Sequence, residues 1–216
     1  MGFDNAQGVL AIWNDIRKGR ESEFEFWYNN EHFPERLAVP GFKVGRRYEA
    51  ISEGPRSFVF YITDTPDVLK SAAYIERLNN PTPLTRTMMS EVFINMNRTL
   101  CRRTQHFGTL SGAFCVTARF QNPIDCVTIL PKLEALRQSA GIARCELWSA
   151  VEQGSGVAAE EQLRGGDQKI AVCVAVETFR LSDTEQAKEQ LEREFSQIAA
   201  IDAYRLLCQL GSQKSA

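Results

Sequence analysis

Apolar and polar residues alternate along the first half of the chain in a regular series of segments. The periodicity predicts two helices, over residues 21–37 and 66–78, and a connection with helical character over 81–91. The predicted strands span 8–15, 41–51, 57–63 and 93–103. The resulting order, β-α-β-β-α-β, is that of a ferredoxin-like unit.

The same order begins again in the second half of the chain. Predicted helices span 124–138 and 183–199, and we expect the second helix to begin behind a Ser182 cap. The predicted strands span 111–120, 142–152, 169–178 and 201–210. A local match supports duplication, because Pro40-Gly41-Phe42 is mirrored by Ala140-Gly141-Ile142. We predict two ferredoxin-like repeats, over 1–107 and 108–216, of which the second is degenerate.

Both faces of the predicted strands are apolar. In the first strand Leu10 and Ile12 point one way, whereas Val9, Ala11 and Trp13 point the other way. An antiparallel sheet with helices on one face normally exposes its other face to water, so an apolar second face requires a cover. The fold class is therefore α+β, and the sheet of one repeat is predicted to cover that of the other.

Composition and charge narrow the function classes. The chain has 216 residues, with 25 basic and 27 acidic side chains. This balance gives no electrostatic footprint for nucleic acid or an anionic membrane. Neither a membrane span nor a signal-peptide pattern is evident, so we expect a cytoplasmic protein. Six cysteines without a C-x-x-C pair are expected to be reduced structural thiols.

His32 is the strongest candidate for chemistry. Phe24, Tyr28 and His32 are spaced four residues apart and share the helix face that must look toward the sheet. A sheltered imidazole is expected to be neutral near pH 7 and able to accept a proton. Pro34 is expected to end or kink the helix near His32. The alternative is a hydrogen-bonded structural histidine.

Other side chains are candidates for a pocket around His32. The aromatic residues Trp13, Tyr48 and Tyr61 could stack on a flat ligand, although core packing is the alternative. Arg46 shares a strand face with Tyr48 and would need a carboxylate partner from the protein or a ligand, unless it lies on a solvated rim. Two amides of the last strand of the first repeat could orient a carbonyl group or His32: Asn95 and Asn97.

Other motifs are weak. Gly154-Ser155-Gly156-Val157-Ala158-Ala159 matches G-x-G-x-x-A, but its position between antiparallel strands predicts a hairpin loop. With His32 and His106 as the two histidines, a histidine-rich metal centre is not expected. The second repeat has no counterpart of His32, since Leu133-Glu134-Ala135-Leu136-Arg137 carries neither His nor Pro. One site per chain is expected.

The segment Trp27-Tyr28-Asn29-Asn30-Glu31-His32-Phe33-Pro34-Glu35-Arg36, followed by Val39-Pro40-Gly41-Phe42, resembles the dimeric α/β-barrel superfamily. It is most similar to the EthD-like and stress-responsive barrel proteins. The resemblance implies two ferredoxin-like sheets packed into a barrel, by two chains or by the two halves of one chain. It also implies a homodimer and a histidine near this helix acting as a general base.

The hypothesis that follows is a small-molecule enzyme without metal, nucleotide or other cofactor. It would carry out proton-transfer chemistry, as an isomerase, cyclase or lyase, on a hydrophobic or aromatic carbonyl compound. His32 would be the base, Tyr28, Tyr48 or Tyr61 a hydroxyl donor, and Arg46 a carboxylate anchor. The resemblance leaves two alternatives, a non-catalytic binding barrel and a haem-dependent or cofactor-free monooxygenase, in which His32 could be a haem ligand.

Overall fold

Eight antiparallel strands close into a barrel within one chain in the computed structural model, which describes residues 5–152 and 159–212. The strands are β1 (Gly8–Ile16), β2 (Phe42–Ala50), β3 (Ser57–Thr63), β4 (Phe93–Phe107), β5 (Phe114–Phe120), β6 (Ile142–Ala150), β7 (Val172–Thr178) and β8 (Ala200–Gly211). Their order around the barrel is β1-β3-β2-β8-β5-β7-β6-β4.

Each half of the chain contributes four neighbouring strands to this barrel. The first half forms β4-β1-β3-β2 and the second forms β8-β5-β7-β6, so both halves have the same internal order. The two sheets are joined where β2 pairs with β8 and where β4 pairs with β6. The predicted α+β class and the packing of two antiparallel sheets into a barrel are confirmed.

Helical segments cover the outside of both sheets. In the first half, α1 (Glu21–Trp27), a π-helical turn (Tyr28–His32) and α2 (Phe33–Leu37) follow one another without a break. They are followed by a 3-10 helix (Pro66–Lys70), α3 (Ala72–Asn79), α4 (Pro83–Thr87) and a second π-helical turn (Met88–Val92). The second half contains α5 (Cys126–Arg137), α6 (Ala159–Arg164) and α7 (Leu181–Glu194).

Several predicted boundaries require correction. Of the two outcomes expected for Pro34, the helix does not end at His32; the backbone departs from α-helical geometry there, in the π-helical turn, and continues to Leu37. Ser182 is not the cap of α7, since it is the second residue of the helix; the backbone N–H of Arg180 instead donates to the Asp183 carboxylate at 3.1 Å. That helix ends at Glu194, where Phe195 turns extended. The predicted loop over 154–159 lies outside the described residues, except for Ala159 in α6.

The core has three apolar layers. One fills the barrel interior with side chains from both halves, including Trp13, Phe58 and Trp148. Another lies between the outer face of the first-half sheet and its helices, and the third occupies the equivalent place in the second half. The apolar second face of the strands is therefore buried inside the barrel, as the alternation predicts. No helix in the described part of the chain is long and apolar enough to cross a membrane.

Candidate functional site

A small cavity lies in the layer between the first-half sheet and its helices. Its volume is about 30 Å³, which is enough for one or two water molecules. Strands β1, β3 and β4 form its floor, and helical segments cover it. The lining residues are Leu10, Ile12, Tyr28, His32, Arg36, Tyr61, Tyr74, Met89, Phe93, Met96, Arg98 and Glu160.

The π-helical turn places His32 at this cavity. The side chain is 5 % exposed, and its ring lies 4.4 Å from the Trp27 ring and 5.2 Å from the Tyr28 ring, centroid to centroid. Trp27 is held in turn, because its Nε1 donates to the hydroxyl of Thr85 at 2.9 Å. The imidazole is therefore sheltered from bulk water and oriented by aromatic neighbours.

Two tyrosine hydroxyls meet beside His32. The Oη atoms of Tyr28 and Tyr61 lie 3.3 Å apart, and the Arg47 guanidinium lies over the Tyr28 ring at 4.2 Å from its centroid. Burial raises the pKa of Tyr28 to about 12, although Arg47 opposes this shift. Burial also raises the pKa of Tyr61 well above its usual value. Both phenols are neutral near pH 7, so they can donate hydrogen bonds to an anion that forms in the cavity.

The second half of the chain closes the cavity. Glu160 lies on α6, between β6 and β7, and forms a buried ion pair with Arg36 on α2. The two side chains are 5 % and 4 % exposed, respectively. Leu163, also on α6, packs against the first-half apolar layer. The site in the first repeat is thus completed by a residue of the second.

Arg98 reaches the cavity from β4. One of its terminal nitrogens donates to the hydroxyl of Tyr74 at 2.7 Å, and both residues are buried. Its strand neighbours Met96 and Leu100 belong to the apolar layer on the helix side of the sheet. The guanidinium therefore lies among apolar groups.

The structure separates the predicted site residues into two compartments. His32, Tyr28 and Tyr61 line the cavity outside the barrel, whereas Trp13 and Tyr48 lie in the barrel interior, on the other face of the sheet. Trp13 stacks on Phe58, with ring centroids 5.1 Å apart, which is the core packing given above as its alternative. The prediction of one pocket shared by all these residues is corrected accordingly.

Arg46 also points into the barrel. It is 1 % exposed, so it does not lie on a solvated rim, and it forms an ion pair with the buried carboxylate of Glu177. Its Nε donates to Gln209 at 2.7 Å and a terminal nitrogen donates to Ser111 at 2.5 Å. The carboxylate partner that the sequence requires is thus supplied by the protein.

The two predicted amides lie outside the cavity as well. Asn97 is buried, and its side-chain oxygen accepts from the hydroxyl of Thr99 at 3.2 Å. Asn95 is exposed, with a φ of 54°, and donates to Asp15 at 2.9 Å. Neither amide is positioned to orient His32.

Sequence reasoning missed several residues at the cavity. Arg36 could have been found, because it follows His32 by four residues and so shares its helix face. Arg98 alternates with Met96 and Leu100, but both faces of this sheet are apolar, so alternation alone does not show which face meets the helices. Glu160 carries no such signal, because its contact depends on the path of a long connection from the other repeat.

A cofactor or metal would find few ligands at the cavity. His32 is the one histidine at the cavity, and its ring packs against Trp27. In the described residues, no group of three or more His, Cys, Asp or Glu side chains is arranged to hold a metal ion. All six cysteines are free thiols.

In the described residues of the second half, the equivalent layer contains no comparable set of groups. It is filled mainly by aliphatic side chains of β5, β6, β7, α5 and α7, such as Val116, Leu133 and Val174. The imidazole and phenols of the first half have no counterpart among the buried residues of this layer. Among the described residues, the buried imidazole and the paired phenols therefore belong to the first repeat alone.

Solved structures with a similar fold cover nearly the whole chain. An anthrone oxidase-like protein matches with a TM-score of 0.64 and 11 % identity, over 100 % of this chain and 98 % of its own. A candidate monooxygenase from Fusobacterium nucleatum matches with a TM-score of 0.55 and 11 % identity, over 97 % of this chain and 99 % of its own. A candidate chlorite dismutase matches with a TM-score of 0.50 and 13 % identity, over 94 % of this chain and 95 % of its own. No family model and no curated protein sequence matches the chain.

These matches, together with the closed eight-stranded barrel, define the class. The chain has the fold of the dimeric α/β-barrel proteins. It has the tandem form of that fold, in which one chain supplies both ferredoxin-like sheets.

Proposed function

We propose that the protein is a small-molecule enzyme that oxidises a flat, hydrophobic aromatic compound with molecular oxygen, without a bound cofactor. One observation carries the proposal: His32 and the paired phenols of Tyr28 and Tyr61 line one small cavity between helix and sheet. The names of the structural neighbours, an anthrone oxidase-like protein and a candidate monooxygenase, favour oxidation over the isomerase, cyclase or lyase chemistry expected from the sequence.

The proposed reaction begins with proton transfer. His32 accepts a proton from an acidic C–H or phenolic O–H of the substrate, and the Tyr28 and Tyr61 hydroxyls donate hydrogen bonds to the resulting enolate or phenolate. The electron-rich anion then transfers electrons to oxygen. For a substrate that reacts at a methylene group, the methylene and a single molecule of dioxygen give a carbonyl group and a single molecule of water. The carbon is oxidised and the dioxygen is reduced, so atoms and electrons balance.

Access to the site requires a change in the cover. A cavity of about 30 Å³ does not hold an aromatic substrate, so α6 has to move away from α2 when the substrate binds. The Arg36–Glu160 pair is the charged contact that such a movement breaks. Once closed, the same cover excludes water from the anion.

An oxygen electrode tests the proposal with anthrone and related tricyclic phenols. We expect oxygen uptake that falls at least 100-fold in His32→Gln, because a general base typically contributes 10²–10⁴-fold. The matched control is His106→Gln, which alters the other histidine, at the end of β4, and should keep wild-type uptake. Thermal stability of both variants should remain close to wild type.

Other outcomes would contradict oxidation. Product formation under argon at the aerobic rate would show isomerisation or lyase cleavage by the same base. Retained uptake in His32→Gln would remove the imidazole from the mechanism. A Soret band with a defined axial ligand after haem addition, together with haem-dependent turnover, would favour the haem alternative.

A further inference from the structure

Arg98 differs from the other buried arginines in the described part of the chain. Each of the others has a carboxylate oxygen within 4 Å: Arg36, Arg46, Arg47, Arg103, Arg119 and Arg144. The polar partner of the Arg98 guanidinium is the neutral hydroxyl of Tyr74, at 2.7 Å, and no described carboxylate lies within 4 Å of it. Arg98 thus brings a positive charge into an apolar layer without a direct ion pair, and the carboxylates of Asp167 and Glu160 attract it only at longer range.

Such an arrangement is costly unless another group balances it. Arginine stays protonated in proteins, so it cannot escape the cost of burial by losing its charge. A buried charge without a partner is strongly destabilising, and a neutral hydroxyl satisfies one N–H of the guanidinium without neutralising it. The buried carboxylate of Asp167 lies 4.0 Å from the Lys169 ammonium group and attracts Arg98 without forming a direct ion pair with it.

The Arg98 guanidinium, which forms no direct ion pair with a described carboxylate, faces the same cavity as His32. Arg36 also lines this cavity, but Glu160 matches its charge. The surplus positive charge of the lining is therefore that of Arg98. Tyr74 fixes the guanidinium from one side and packs on Phe42, with ring centroids 5.7 Å apart, so the group is held in place before a ligand arrives.

We propose that Arg98, positioned by Tyr74, binds a carboxylate of the substrate, and hence that the substrate is an aromatic carboxylic acid. This inference rests on the proposed function for the identity of the reacting group, but the anion site itself is independent of the reaction. A guanidinium presents parallel N–H donors that match the two oxygens of a carboxylate, and an anionic partner makes these hydrogen bonds strong. Arg98 therefore takes the anchoring role that the sequence assigned to Arg46.

Binding of 2-naphthoate and its neutral isostere 2-naphthamide tests the inference without turnover. We measure both by calorimetry on the full chain. The wild type should prefer the carboxylate by about 10- to 100-fold, the range expected for a charge-assisted hydrogen bond. Arg98→Met should abolish this preference and leave affinity for the amide unchanged, while Arg98→Lys should keep part of it.

The matched control is Arg102→Met on the same strand. Arg102 is exposed and lies outside the cavity lining, so this variant should keep the full preference. Arg98→Met should also unfold at a temperature equal to or above that of the wild type, because methionine removes a buried charge that has no direct ion pair and replaces it with an apolar side chain. A large loss of stability in Arg98→Met would indicate a structural role and overturn the inference.

The result separates this inference from the proposed function. Equal affinity of the wild type for naphthoate and naphthamide would overturn the carboxylate site, whatever the oxygen measurements show. A carboxylate preference that depends on Arg98 and persists in His32→Gln would support the site even if no oxygen uptake is found. In the active enzyme, Arg98→Met should raise KM for an acid substrate far more than it lowers kcat.

Discussion

At the scale of residues, the candidate site combines neutral phenols, one imidazole and buried charged groups. Tyr28 and Tyr61 donate because burial keeps their protons in place. The same effect holds in the barrel interior, where burial raises the pKa of Tyr48 and that of Tyr204. These tyrosines should therefore report on the integrity of the fold at alkaline pH.

A spectrophotometric titration checks this expectation. An unfolded tyrosine ionises near pH 10, whereas Tyr28 in the folded chain retains its proton to about pH 12. The folded state then holds more protons than the unfolded state, so stability is unaffected below pH 10 and falls as the pH rises toward 12. Most of the phenolate absorbance should appear together with loss of circular dichroism. Ionisation of most of the five tyrosines near pH 10 in the folded protein would contradict the expected protection of the phenols by burial.

At the scale of elements, the helix over 21–37 approaches β2 closely. A Cβ atom on Gly45 would lie 2.5 Å from Cε2 of Phe33 and 2.9 Å from Cδ1 of Tyr61. The absent side chain thus lets the helix settle on the sheet and brings His32 toward Tyr61. The close approach is a property of this pair of elements, because Gly45 belongs to β2 and Phe33 begins α2.

Gly45→Ala should disturb both stability and the site. We expect the free energy of unfolding to fall by about 1–3 kcal/mol, as for other overpacking substitutions, because Phe33 and Tyr61 must shift. Urea denaturation measures the loss. Gly211→Ala in β8 is the control, since its added Cβ would have its nearest contact at 3.8 Å, an ordinary van der Waals distance. Equal stability of the two variants would show that the helix can move away at no cost.

The elements themselves were largely predictable from the sequence. The helix over 21–37 and β3 have the predicted bounds, because apolar periodicity continues through both. The effect of Pro34 was not predictable in detail, since a proline can either end a helix or be accommodated by a wider helical turn. The tertiary contacts of Tyr28 and His32 favour the wider turn. The placement of Arg46 was not predictable, because each sheet has two apolar faces, and local alternation does not assign either face to the barrel interior.

At the scale of the whole molecule, the two halves have different tasks. The first half carries the imidazole and the phenols, and the second half supplies Glu160 to the Arg36 guanidinium. The barrel closes within one chain, so a second chain is not needed to complete it. Association of two such chains stays a prediction.

Glu160→Gln tests the link between the halves. It leaves the Arg36 charge buried without a carboxylate, and we expect the free energy of unfolding to fall by about 3–5 kcal/mol. The double variant Arg36→Met with Glu160→Leu should recover most of this loss, because both charges are then removed. Denaturant unfolding of the single variants Arg36→Met and Glu160→Leu and of the double variant gives the coupling energy. A coupling energy near zero would contradict a stabilising contact between α2 of the first half and α6 of the second.

The contact of α6 with the first-half helices has a consequence for evolution. In a barrel assembled from two identical subunits, an arm that crosses from one subunit to its neighbour is necessarily matched by the reciprocal crossing. A fused chain escapes this constraint. One repeat can lose its reactive groups and instead shape the entrance to the site in the other repeat. The protein can then evolve selectivity for unsymmetrical substrates without duplicating every change.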